Sequence, residues 1–204
     1  MRLVLLRHGQ TIWNAEHRFQ GQSDIPLDET GEAQAERSAR LLAALSPDLI
    51  VSSDLVRAMS TAAPLAALTG LTVTLDKGLR ERFGGAWEGL TDTEIDERYP
   101  RERATWDPPG GELTMAVADR VHAALRRVAD TLDQNGGDLA VVVSHGAALR
   151  LGMERMLGLP DEHFGVLGPL SNCSWSVLAQ RGPRWRILEH NAGTLPEPVL
   201  GDDR

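Results

Sequence analysis

The chain begins with a short apolar run that ends in charged and polar residues, Leu3-Val4-Leu5-Leu6-Arg7-His8-Gly9-Gln10-Thr11. Its apolar part does not alternate with polar residues, which is typical of a parallel strand covered on both faces. Further β signals follow at residues 49–51, 71–75, 139–143, 174–178 and 184–188. The first segment therefore predicts a buried strand that delivers polar side chains to one edge of a sheet.

Helical patterns alternate with these strands. The clearest helix has apolar residues at steps of three and four, at Leu113, Val117, Val121, Leu125, Val128 and Leu132. Other helices are predicted over about 30–45, from Asp54 as N-cap to 68, from Thr91 to 98, and over 145–157. The alternation predicts an α/β fold, namely a three-layer α/β/α sandwich with a mostly parallel sheet.

The same pass along the chain predicts its domain organisation. We expect a single domain over residues 1–190, because no linker or repeat divides the sequence. Within it, the stretch at about 82–113 is rich in Gly, Pro and Trp and is expected to leave the sheet as a lid. Residues 191–204 carry prolines and a charged end, which favours a loose C-terminal tail.

Composition limits the classes of function. The 204 residues carry a net charge of −8 at pH 7, which argues against nucleic acid or an anionic membrane as a partner. Cys173 is the single cysteine, so an intrachain disulfide and a cysteine-rich zinc site are excluded. The sequence has no recognisable signal peptide and no apolar stretch of membrane-spanning length, so we expect a cytoplasmic protein.

Four polar segments follow strands of the predicted sheet. They carry Arg7 with His8, then Arg57, then Glu81, and finally His145. Because ligands of open α/β sheets bind outside the carboxyl ends of the strands, these side chains are expected to converge in one cleft.

The expected cleft has the composition of a phosphoryl-transfer site. Its two arginines offer planar sets of donors that match phosphate oxygens. A neutral imidazole can attack phosphorus, and neighbouring arginines favour the neutral form. Glu81 is the expected general acid and base, and glycines after both histidines, Gly9 and Gly146, would let the backbone approach the ligand.

Several motifs of the chain occur in the order of one known family. They are Leu5 to Thr11 with Asn14, Gln20-Gly21, Ser53-Asp54-Leu55 with Arg57-Ala58, Leu79-Arg80-Glu81, Trp87-Glu88-Gly89-Leu90 and Ser144-His145-Gly146. Over about residues 1–190 the sequence resembles the histidine phosphatase superfamily, which has the phosphoglycerate mutase-like fold. The resemblance implies a six-stranded, mostly parallel sheet flanked by helices.

The resemblance also implies roles for individual residues. His8 would be the phosphorylated nucleophile, Arg7, Arg57 and His145 would hold the phosphoryl group, and Glu81 would be the acid and base. The candidate substrate-binding residues are Asn14, Gln20, Gly21 and Gly146. The family uses no metal, and no cofactor is expected.

Two reactions compete within the family, and a third possibility lies outside catalysis. We favour a metal-independent phosphomonoester phosphatase acting on a small phosphorylated metabolite. The runs at 20–22, 52–58, 106–112 and 172–175 are similar to those of actinobacterial glucosyl-3-phosphoglycerate phosphatases. A cofactor-dependent phosphoglycerate mutase is the alternative, although residues 89–111 lack a convincing basic cluster for a glycerate carboxylate. The alternative from another class is a non-catalytic phospho-ligand binding protein, and a homodimer is also expected from the resemblance.

Overall fold

The computed structural model describes residues 1–193, which form six strands and seven α-helices. The strands are β1 (Arg2–Arg7), β2 (Leu49–Ser52), β3 (Val73–Leu75), β4 (Leu139–Ser144), β5 (Trp175–Arg181) and β6 (Arg184–Ala192). The helices are α1 (Ile12–Ala15), α2 (Glu29–Ala43), α3 (Val56–Thr69), α4 (Asp92–Arg98), α5 (Pro100–Thr105), α6 (Thr114–Gln134) and α7 (Gly146–Met156). None of these helices is long and apolar enough to cross a membrane.

All six strands join one sheet in the order β3-β2-β4-β1-β5-β6. Strands β1 to β4 pair in parallel, whereas β5 pairs antiparallel with both β1 and β6. The predicted α/β architecture with a mostly parallel, six-stranded sheet is confirmed.

Two apolar clusters explain why β1 and β4 lack alternation. Successive side chains of a strand point to opposite faces, and in β1 Leu3 and Leu5 pack on one face while Val4 and Leu6 pack on the other. Helices α6 and α7 cover the first face, and α2 and α3 cover the second. Since full burial of one such side chain contributes about 1.5–3 kcal/mol, both faces favour apolar residues.

The start of α3 differs from the sequence prediction. Leu55, not Asp54, is the N-cap residue, and no side chain among residues 1–193 caps this helix. Asp54 is drawn away because its carboxylate accepts hydrogen bonds from Nε and Nη2 of Arg80, both at 2.6 Å. A paired guanidinium is a stronger partner for a carboxylate than a backbone N–H group.

The segment predicted as a lid has a small core of its own. Within it, α4 begins with a capping box at Thr91, as the sequence predicted. Trp87 and Ile95 are buried there with Phe19, and Trp106 packs against them.

The last described strand passes the predicted domain boundary at residue 190. Strand β6 continues to Ala192, and the Asn191 side chain accepts a hydrogen bond from the Ser171 N–H at 2.7 Å. The remainder of the predicted tail, residues 194–204, lies outside the described residues.

Candidate active site

The carboxyl edge of the sheet brings together residues that are far apart in sequence. His8 follows β1, and His145 follows β4 at the N-cap of α7. Their ring centroids lie 5.2 Å apart. Arg57, in the first turn of α3, reaches the same point, with its Nε 3.2 Å from Nδ1 of His145. The predicted convergence of these side chains therefore follows from the strand order.

The imidazole of His8 is held in one tautomer. Its Nδ1 lies 2.7 Å from the Gly9 carbonyl oxygen, which can only accept, so Nδ1 carries the proton and Nε2 keeps its lone pair. Burial lowers the pKa of His8 well below that of a free imidazole, and Arg57 and Arg7 lower it further. The ring is therefore neutral at neutral pH, as a nucleophile requires.

Gly9 has a packing role that the sequence pattern does not predict. A Cβ atom on Gly9 would lie 2.5 Å from the backbone oxygen of Gly31, and one on Gly31 would lie 2.0 Å from that of Gln10. The two glycines therefore let the loop after β1 pack directly on the start of α2. This contact between backbones fixes the loop that carries His8.

His145 is neutral as well, with the opposite tautomer. Its Nδ1 accepts from Nε of Arg57, which leaves Nε2 to donate to Oγ of Ser53 at 2.8 Å. Burial is the main cause that lowers the pKa of His145 well below its usual value, with Arg57 and His8 as further causes.

A loop after α1 orients the guanidinium of Arg57. Its Nη1 donates to the carbonyl of Ser23 and its Nη2 to the carbonyl of Gly21, both at 2.7 Å. Glu88 holds this loop, because its carboxylate accepts from the Gln22 N–H at 2.8 Å and the Ser23 hydroxyl at 2.7 Å. Gly21 has a φ of +53°, and a Cβ there would lie 2.1 Å from Glu88 Oε1.

The remaining phosphoryl-site candidates are buried around His8. Arg7 is 2% exposed and donates to the Leu170 carbonyl. Asn14 forms a capping box with Thr11, and its Oδ1 lies 3.4 Å from Nδ2 of Asn172. The same Asn172 nitrogen donates to the His8 carbonyl at 3.0 Å, so it ties the first strand to the loop before β5.

Two further sequence candidates lie nearby. Gln20 is buried, and its Oε1 has no hydrogen-bond partner within residues 1–193. Gly146 is buried as the first residue of α7.

Glu81 is fixed on the amino-terminal end of α7. Its Oε1 accepts from the N–H groups of Arg82 at 2.8 Å and Ala148 at 2.9 Å, and its Oε2 accepts from that of Ala147 at 3.1 Å. The first N–H groups of a helix have no partner within the helix and carry its positive dipole end, so they suit a carboxylate. Oε2 accepts one such bond and keeps a lone pair for proton transfer.

Arg120 supports the Glu81 segment and was missed by sequence reasoning. Its guanidinium donates to the carbonyls of Gly78, Arg80 and Glu81 at 2.9 to 3.3 Å. It also pairs with both carboxylate oxygens of Glu112, at 2.7 and 2.9 Å. Nothing in the pattern of α6 sets this arginine apart from those on its exposed face, because its partners lie at least eight residues away.

A cleft of about 160 Å³ adjoins Glu81. It is lined by Phe19, Glu81, Arg82, Trp106, Thr114, Ala147, Arg150, Leu151, Phe164 and Gly165. Since a single water needs about 10–15 Å³ measured in this way, the cleft has room for an organic group of several atoms. Among the described residues, no group of three or more His, Cys, Asp or Glu side chains is placed to hold a metal ion.

Comparison with known proteins identifies the family. The model of the histidine phosphatase superfamily, branch 1, matches residues 3–193. The chain belongs to the histidine phosphatase superfamily. This confirms the family resemblance predicted from the sequence.

Similar members of this superfamily carry two activities in their names. A glucosyl-3-phosphoglycerate phosphatase of Mycolicibacterium vanbaalenii is 42% identical over 188 residues, which cover 87% of this chain and 84% of the relative. A probable phosphoglycerate mutase of Salmonella choleraesuis is 40% identical over 192 residues, covering 91% and 87%.

One solved structure of the superfamily matches almost end to end. It is a mycobacterial glucosyl-3-phosphoglycerate phosphatase in complex with VO3, with a TM-score of 0.89 and 39% identity. The match covers 94% of this chain and 99% of that one. The predicted phosphatase class therefore agrees with the relatives named as phosphatases, and the mutase alternative is less favoured.

Proposed function

We propose that this protein is a phosphomonoester phosphatase in which Nε2 of His8 takes the phosphoryl group from the substrate. The observation that carries the proposal is the fixed tautomer of His8. Its Nδ1 is occupied by the Gly9 carbonyl at 2.7 Å, which leaves the Nε2 lone pair available, and Arg57 and Arg7 make the surroundings of this buried ring electropositive. A preorganised, positively charged environment is what phosphoryl transfer requires.

The first step transfers the phosphoryl group to the enzyme. The lone pair of His8 Nε2 forms a bond to phosphorus while the phosphorus–oxygen ester bond breaks. Oε2 of protonated Glu81 gives its proton to the departing oxygen. Arg7, Arg57 and Asn14 hold the equatorial oxygens, and His145 holds one by turning its Nε2–H from Ser53 Oγ to the phosphoryl group.

The second step hydrolyses the phosphohistidine. The carboxylate of Glu81 accepts a proton from a water whose oxygen attacks phosphorus, and the bond to His8 breaks. The products are inorganic phosphate and the free alcohol, and both His8 and Glu81 return to their starting forms. In this scheme the protein side chains supply every proton transfer.

For the substrate, we propose glucosyl-3-phosphoglycerate. Support comes from the names of the two phosphatase relatives and from the extent of the similarity, which reaches 99% of the mycobacterial structure. The cleft beside Glu81 has space for a leaving group larger than the phosphoryl group itself.

The test is phosphate release from a panel of phosphomonoesters that includes glucosyl-3-phosphoglycerate and 3-phosphoglycerate. His8→Ala is expected to abolish release and to lose the phosphohistidine that is trapped by rapid alkaline quench. His17→Gln is the matched control, because His17 is exposed and lies outside the site. Full activity in the His8 variant would refute the mechanism.

A parallel reaction tests the alternatives. Interconversion of 2- and 3-phosphoglycerate with a bisphosphoglycerate primer, with little phosphate release, would identify a mutase. Folded protein that binds phosphate but is inactive in both assays would favour a phospho-ligand binding protein. The homodimer and the cytoplasmic location stay predictions, and light scattering of the purified protein tests the first.

A further inference from the structure

The cleft beside Glu81 has two arginine side chains in its wall, and neither forms an ion pair within residues 1–193. Arg82 follows Glu81 directly, and Arg150 comes from α7. Three aromatic side chains complete the wall around them: Phe19, Trp106 and Phe164. The mixture of cationic and aromatic groups points to a ligand that carries both an anionic group and an apolar part.

Arg150 has no partner among the described residues. Within residues 1–193 it forms no hydrogen bond and no ion pair, and its Nε is buried without an acceptor. Its position on α7 places it one turn after Ala147, whose N–H binds Glu81. Residues three apart share a helix face, so Arg150 faces the same cleft as Glu81.

Arg82 is buried and, in the part of the chain that the structure describes, also lacks an ion pair. It is 6% exposed, and its Nε donates to the Glu112 carbonyl at 2.8 Å. No carboxylate lies within 4 Å of its guanidinium among residues 1–193. Burial lowers the pKa of Arg82 from its usual value, although the carboxylates of Asp107, Glu81 and Glu112 act in the opposite direction. Arginine is rarely buried without a partner, because removing its charge from water is costly.

The surroundings favour a singly charged anion over a second phosphate. The carboxylates of Asp107, Glu81 and Glu112 act on Arg82 at longer range, and Glu81 lines the same cleft. These negative charges would repel a dianion about twice as strongly as a monoanion, whereas the two arginines suit the planar oxygens of a carboxylate.

We propose that Arg82 and Arg150 bind a carboxylate of the substrate, on the leaving-group side of Glu81. The substrate class is therefore a phosphorylated hydroxy acid, and Arg150 is a specificity-determining residue. This inference rests on the proposed phosphatase function.

The aromatic wall would hold the rest of the leaving group. Trp106 adopts a left-handed backbone conformation with a φ of +51°, which is uncommon for a residue other than glycine. Its ring packs edge to face on Trp87 with centroids 5.6 Å apart, and Arg103 lies over it at 4.4 Å. These contacts fix the indole in the wall of the cleft, where a sugar ring or carbon chain can pack against it.

The test measures selectivity for the carboxylate. For each enzyme form, kcat/KM is determined for 3-phosphoglycerate and for glycerol 3-phosphate, which lacks the carboxylate, and for glucosyl-3-phosphoglycerate and its amide. Arg150→Gln is expected to lower the ratio of carboxylate to neutral substrate by about 10- to 100-fold, the loss typical of a charge-assisted hydrogen bond, mainly through KM. Arg150→Lys keeps the positive charge without the planar guanidinium, and it should lower this ratio by less.

The control removes the same charge elsewhere. Arg126→Gln changes an exposed arginine of α6 far from the cleft and should keep the wild-type ratio. An Arg150→Gln enzyme with the wild-type ratio, or with equal losses on both members of a pair, would overturn the inference.

The failure of the proposed function has a separate signature. If wild type releases no phosphate from any ester, including the neutral ones, the phosphatase proposal fails. The carboxylate site is then tested by calorimetric titration of D-glycerate into wild type and Arg150→Gln. Equal heats in both proteins would overturn it.

Discussion

Acidification should destabilise this protein through two buried histidines. His8 is 3% exposed and His145 is fully buried, and burial lowers the pKa of each well below the usual value. In the unfolded chain both would titrate with a pKa near 6.5. Below that pH the unfolded state binds more protons than the folded state, so the free energy of unfolding falls as pH falls.

The size of this loss follows from the protonation of the histidines in the unfolded chain. While a folded histidine stays neutral, lowering the pH from about 7.5 to about 5.5 costs about 1.4 kcal/mol. Two such residues give a loss of about 3 kcal/mol. His122 adds a smaller loss of the same sign, because burial and Arg126 lower its pKa.

Urea unfolding at the two pH values, in a buffer free of phosphate, measures this loss. His8→Asn and His145→Asn are each expected to remove about half of it, and His17→Gln, at an exposed position, to leave it intact. A free energy of unfolding that stays constant or rises on acidification would refute the assignment of two neutral, buried imidazoles.

Three further predictions concern residues that support the site. Arg120→Met should lower the free energy of unfolding by about 2–4 kcal/mol, because three carbonyls and the Glu112 carboxylate lose their donor; urea unfolding checks this, and kcat should fall with the displaced Glu81 segment. Gly21→Ala should raise the inhibition constant of vanadate about tenfold or more, since its Cβ would lie 2.1 Å from Glu88 Oε1; unchanged inhibition would contradict the clash. Asp54→Asn should lower the free energy of unfolding by about 1 kcal/mol in thermal unfolding, because the amide loses the ion pair with Arg80. Asn caps helices as well as Asp does, so an unchanged stability would mean that Asp54 acts as a helix cap instead.

The buried strands and the residues at their ends could be predicted because short-range patterns encode them. Continuous apolar runs gave β1 and β4, and the residues after them gave His8 and His145. The order of the parallel strands then sufficed to bring Arg57 to the same edge.

The parts that were missed depend on partners distant in sequence. Asp54 reads as a helix cap, and only the fold brings Arg80 to its carboxylate, 26 residues away. The packing of Gly9 on the backbone of Gly31, 22 residues away, was likewise not predicted. Arg150 shares its helix with Arg155, and its lack of a partner within residues 1–193 becomes visible only in the folded structure.

Helix α7 links three parts of the proposed reaction to one rigid body. His145 stands at its N-cap, the N–H groups of Ala147 and Ala148 hold Glu81, and Arg150 follows within the next turn. A shift of this helix would therefore move His145, Glu81 and the proposed carboxylate site together. A substitution at position 150 alone would instead change which leaving group binds, because His145 and Glu81 would keep their positions. Single substitutions along this helix could therefore change substrate specificity without changing the catalytic residues at its amino-terminal end.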